Sequence, residues 1–111
     1  MLARALAVFV ILTAAACAHA HPSWVARGTH TTVHHGQRVV YGVGVVRGVR
    51  DLAKARTVAE NRARLQIVER LAPRHRGPRF IAATLTNVRI TDHWFGRDGA
   101  VFALAEYRPQ G

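Results

Sequence analysis

Val39-Val40-Tyr41-Gly42-Val43-Gly44-Val45-Val46 is an uncharged run of β-branched, aromatic and glycine residues. A run this short and this apolar reads as a strand buried on at least one face. Side chains alternate along a strand, so Gly42 and Gly44 share one face, and a face without side chains lets another backbone come close. A phosphate-cradling glycine loop would instead need its glycines in a turn that opens a helix, with further glycines at fixed offsets. Here they sit within the strand, and close packing is the reading that fits.

What packs there is encoded just downstream. Asp51 carries a side chain suited to capping a first helical turn. From Leu52 to Ala72 there is no Gly or Pro, and good helix formers dominate until Pro73 ends the run. Leu52, Ala55, Ala59, Ala63, Ile67 and Leu71 recur at three- and four-residue steps, a stripe whose small alanine centre matches the glycine face. Glu60 and Arg64 are spaced for an ion pair on the wetter side. Val58, Leu65 and Val68 fall off the stripe and read either as extra core under a loop or as a subunit contact.

Beyond the helix, Pro73 to Pro78 is a basic loop holding Arg74, His75 and Arg76, with Arg79 next. A strand is expected over about Phe80 to Phe95, where alternation is partial. Arg97-Asp98-Gly99 signals a hairpin, Asp-Gly being favoured in type I′ turns, and Val101 to Tyr107 returns as the last strand. The order strand, helix, strand, strand predicts an α+β domain over residues 38–108, a β-α-β-β unit with one helix on a small antiparallel sheet. There is no internal repeat.

The start of the chain reads as an export signal over residues 1–16. Arg4 precedes an apolar run from Ala5 to Ala16, followed by small residues, and the run is short of the roughly 20 residues a membrane span needs. Cys17, the only cysteine, follows Ala14-Ala15-Ala16. This resembles a bacterial lipobox, with Ala14 where that pattern usually has Leu, and makes Cys17 the expected lipidated first residue. The competing reading is cleavage after Ala18-His19-Ala20. A lone cysteine has no partner in its own chain, which favours the lipid, and the absence of Asp after it points to the outer membrane. About 90 residues then remain, a single small domain whose core would gain from self-association or from an envelope protein partner.

Residues 17–37 read as an irregular, histidine-rich linker. His19, His21, His30, His34 and His35 are the candidate metal ligands, because clustered imidazoles bind zinc, copper or nickel. No carboxylate or second cysteine lies nearby and the spacing matches no closed tetrahedral site, so solvated linker histidines are the plainer reading. Trp24 is expected on the domain edge or at a membrane interface.

The formal net charge is +10, nearly all from arginine. In the cytosol this would suggest nucleic acid; for an exported chain the available polyanions are headgroups, lipopolysaccharide and acidic polymers. Arg74, Arg76 and Arg79 are the candidate anion contacts, against the plainer reading of a solvated basic surface. No catalytic set assembles: Ser23 is the only serine and lies in the linker. Asp92-His93 lacks a nucleophile and reads as strand-end polarity.

Taken together, Cys17, Pro22-Ser23-Trp24-Val25, Tyr41-Gly42-Val43-Gly44, the Ala55/Ala59/Ala63–Arg64 helix and the closing Asp92, Trp94, Gly99 and Phe102-Ala103-Leu104 resemble the small bacterial outer-membrane "Lpp-twenty" lipoproteins, some of them flagellum-associated. The resemblance spans most of residues 17 to 107. It implies an α+β domain tethered to the outer membrane, without catalysis or cofactor. Gly42, Gly44, Ala55, Ala59, Ala63, Trp94 and Gly99 are then structural. The expectation is a non-enzymatic envelope lipoprotein held to the membrane by its lipid, with no nucleic-acid partner. The alternatives are a soluble periplasmic metal binder and a binder of anionic envelope polymers.

Overall fold

A computed structural model describes residues 21–71 and 77–109. The export segment, Cys17, His19, Arg74 and Arg76 lie outside them. The chain forms α1 (Ser23–Arg27), β1 (His30–His34), β2 (Gln37–Val46), α2 (Leu52–Leu71), α3 (Pro78–Thr86), β3 (Val88–Phe95) and β4 (Val101–Tyr107). The four strands make one antiparallel sheet in the order β1-β2-β4-β3, with α2 across one face. The class is α+β.

The pairing of β2 with α2 is the centre of the fold. Asp51 caps the helix through its carboxylate, which accepts from the Lys54 N–H at 3.2 Å. A Cβ at Gly42 would overlap the Ala63 carbonyl, and one at Gly44 would overlap the Ala59 carbonyl and the Ala63 nitrogen. Helix and strand backbones are therefore nearly in contact, and only glycine permits it. Ala55, Ala59, Ala63 and Ile67 are buried against Val40, Val46, Val101, Ala103 and Ala105. The stripe thus lies where its spacing predicts, except at its first member: Leu52 is 57 % exposed. Of the off-stripe residues, Val68 is buried, Val58 packs on the core's margin and Leu65 stays exposed.

Four local expectations are corrected. The stretch read as linker holds α1 and an edge strand, β1. It is joined to β2 by a two-residue turn in which His35 (φ 52°) and Gly36 (φ 76°) are both left-handed, as a type I′ turn requires. Histidine is among the residues enriched in that region.

The segment from Phe80 to Thr86, expected as strand, is helix α3. Gly77 and Pro78 open it, and the Thr86 hydroxyl and Asn87 amide close its end on the carbonyls of Ala82 (2.8 Å) and Ala83 (3.1 Å). Proline at the first helical position outweighs the β-propensity of Phe, Ile and Thr here.

The β3–β4 hairpin forms, but not through a type I′ turn. The Gly99 N–H donates to the Gly96 carbonyl at 3.2 Å and only Gly99, at φ 82°, is left-handed, giving a three-residue loop closed by glycine. Glu60 and Arg64 do not pair: Arg64 donates to Asn61 at 2.9 Å, and Glu60 turns to the sheet.

Candidate functional site

Alternation along the strands divides the sheet into two surfaces. Val40, Gly42, Gly44, Val46, Val101, Ala103 and Ala105 face α2. The opposite surface carries Tyr41, Val43, Val45, Trp94, Phe102, Leu104 and Glu106. The helix α1 lies there. His21 stands edge-on to Trp94 with ring centres 5.8 Å apart, the Trp24 indole N–H donates to Asp92 at 3.2 Å, and Gly28 then leads into β1 at the far edge. The short helix is a strap across the sheet.

Between the strap and the strands lies a cleft of about 280 Å³ lined by Trp24, Arg27, His30, Thr32, Tyr41 and Leu104. The His30 ring stacks on Tyr41 at 5.0 Å and its Nδ1 lies 2.7 Å from the Gly28 carbonyl. Aromatic walls with a guanidinium and a hydroxyl suit a small polar or anionic group. A second hollow of about 250 Å³ is lined by Thr86, Asn87, Arg89, Glu106 and Arg108. There the buried Glu106 carboxylate lies between Arg89, 3.8 Å away, and Arg108. The hydrogen bond from Arg108 to Glu106 raises the guanidinium's already high pKa.

On the helix side, the His93 Nε2 and Glu60 Oε2 lie 2.7 Å apart, both groups about one-fifth exposed, and this contact ties β3 to α2. It falls just past Thr91, the extra residue of a bulge between Ile90 and Asp92. The bulge restores His93 to the helix-facing side after Asp92 has taken the opposite one.

The free edge of β2 is also occupied. β1 pairs only with Gln37 to Tyr41. Beyond it the Val43 N–H donates to the Thr29 hydroxyl at 3.1 Å, and Arg62 donates to the Val45 carbonyl at 2.7 Å. Side chains thereby satisfy groups that would otherwise invite another strand.

The histidines expected as metal ligands are dispersed. His21 is at the strap's start, His30 in the cleft, and His34 and His35 at the β1–β2 turn with ring centres 4.4 Å apart. Among the described residues no three His, Cys, Asp or Glu groups gather as a metal site. Arg79 is exposed at the start of α3. Trp94 packs on Phe102 with ring centres 5.5 Å apart, and Gly99 closes the hairpin. The Glu60–His93 and Trp24–Asp92 contacts and the Arg89–Glu106–Arg108 group were not legible in the sequence. Their partners lie far apart in the chain, or depend on which strand face each residue takes.

Comparison with family models, with curated proteins and with solved structures finds no match. No helix among the described residues is long and apolar enough to cross a membrane.

Proposed function

We propose that this is an exported, membrane-tethered binding module of the bacterial envelope, anchored through a lipid on Cys17 and acting without catalysis. The observation that carries the reading is the position of Cys17, which closes the apolar export run six residues before α1 begins at Ser23. The family resemblance carried by Cys17, Tyr41-Gly42-Val43-Gly44 and the alanine-spaced helix supports it. So does the engagement of the polar groups with one another: Glu60 with His93, Glu106 with two arginines, Asp92 with Trp24. Each joins separate elements, as structural contacts do. The strap cleft and the open sheet surface then serve as binding surfaces for an envelope partner.

The intact mass of the mature protein from a producing cell tests the anchor. A chain beginning at Cys17 with acyl groups attached is the expected result. A lipid-free chain beginning at His21 overturns the proposal and leaves a soluble exported protein, for which zinc or copper titration becomes the next measurement.

A further inference from the structure

A tether at Cys17 fixes more than location. Three residues separate it from His21, and the four Cα–Cα steps between them span at most about 14 Å. The His21 ring lies against Trp94, so the membrane surface must come close to the end of the sheet where β3 leaves and β4 begins. That end carries exposed apolar side chains. Phe95 is 48 % exposed and Leu52, at the start of α2 on the same end, is 57 % exposed; these are two of the four large hydrophobic side chains exposed among the described residues. Trp94 and Phe102 are half-buried at the same end on the opposite face of the sheet, and the Arg47 guanidinium lies 5.8 Å over the Phe102 ring. Arg47 also meets Asp98 at 3.6 Å in an exposed contact, which solvent screens strongly, and Arg50 is exposed in the same connection.

We propose that this hairpin end, built from Trp94, Phe95, Phe102, Leu52 and Arg47, is a membrane-docking tip that seats on an anionic phospholipid surface. The inference rests on the lipid anchor proposed above and deepens it. Tryptophan at headgroup depth buries its ring while leaving its indole N–H wet, phenylalanine buries an apolar ring, and arginine lays its stem along apolar surface with its charge toward phosphate. Each exposed apolar side chain gains burial, and each basic side chain near the surface is attracted to anionic lipid. The acyl groups on Cys17 supply attachment, and a tip that adds contacts beside the anchor fixes which end of the domain faces the bilayer. Docking at this end leaves the Arg89–Glu106–Arg108 hollow, at the opposite end of the strands, directed away from the bilayer.

The test uses the mature, full-length lipidated protein, its acylation checked by intact mass, reconstituted into vesicles of phosphatidylcholine and phosphatidylglycerol whose acyl chains carry bromine, a contact quencher of indole. The chain has two tryptophans, so Trp24→Phe leaves Trp94 as the reporter. The expected result is at least a twofold loss of Trp94 emission with brominated lipid, reduced by half or more in the Phe95→Ser/Arg47→Glu variant and in vesicles without phosphatidylglycerol. If Trp24→Phe loosens the fold by circular dichroism, the unaltered protein compared with Trp94→Phe gives the same reading, since the quench must vanish with Trp94. A lipidated protein whose Trp94 emission ignores the bromine overturns the docking and leaves the anchor standing. A mass without lipid overturns both.

Discussion

On the side of the sheet that meets α2, the contact is made by glycine and alanine, and there is no room for a single added carbon at Gly42 or Gly44. On the other side, rings, valines and charged groups lie under a strap of five residues, with clefts between them. The two sides are the same strands read at alternate positions. The difference is one of how far each side can adjust. Backbone packed on backbone has no rotamer with which to adjust, whereas a surface of half-buried aromatic and ionic side chains can rearrange around what it meets.

Substitutions on the two sides should therefore differ sharply. The largest effect is expected at Gly44→Val, where the new side chain meets two helix backbone atoms that cannot yield. Overpacking of this kind costs about 3 kcal/mol or more, and thermal melting should fall by more than about 10 °C. A melting point within a few degrees of the unaltered protein would show that the helix stands further from the sheet. Next is Ile67→Ala, fully buried in the same layer, expected to cost about 2–4 kcal/mol in urea unfolding.

Smaller again is the cross-layer pair. In a double-mutant cycle over Glu60→Ala and His93→Ala, a coupling of about 1–2 kcal/mol is expected from a half-buried charged hydrogen bond; additivity would mean the 2.7 Å contact adds nothing in solution. On the strap side, Trp24→Phe removes only the indole donor to Asp92. Global stability should change by less than about 1 kcal/mol, while amide exchange across residues 23–27 accelerates. Equal slowing or equal loss in α1 and α2 would erase the contrast between the two sides.

The smallest effect concerns pH at the hairpin. The Ala100 N–H donating to Asp98, and then the nearby Arg47 charge, hold the Asp98 carboxyl below its ordinary range. A carboxyl depressed by folding contributes stability that is present above its unfolded pKa of about 4 and lost as pH falls through the folded value. Acid titration should thus loosen the Gly96–Ala100 turn before the helix-facing layer, and carbon-detected titration of Asp98 checks it: a midpoint at or above the ordinary carboxylate value would break the assignment.

Some of this was legible beforehand for a definite reason. The Asp51 cap, the helix from Leu52 and its alanine stripe all depend on residues within a few positions of one another. The glycine pair was readable because two residues apart means one face, whatever lies above it. The turn at His35-Gly36 was available in the same local way and was obscured by the density of histidine around it; Gly77-Pro78 likewise announced α3 beneath a β-prone composition.

By itself the sequence determined the α+β class, the strand and helix at its centre, and the faces they present to one another, since propensity, capping and periodicity act over one or two turns of chain. Only the tertiary structure decided that Glu60 meets His93 and not Arg64, that a bulge at Thr91 returns His93 to the helix, and that residues 23–27 strap the open side of the sheet. Those outcomes depend on which strands become neighbours and in what register. That choice is made by burying the whole layer at once, and no short window of sequence contains it.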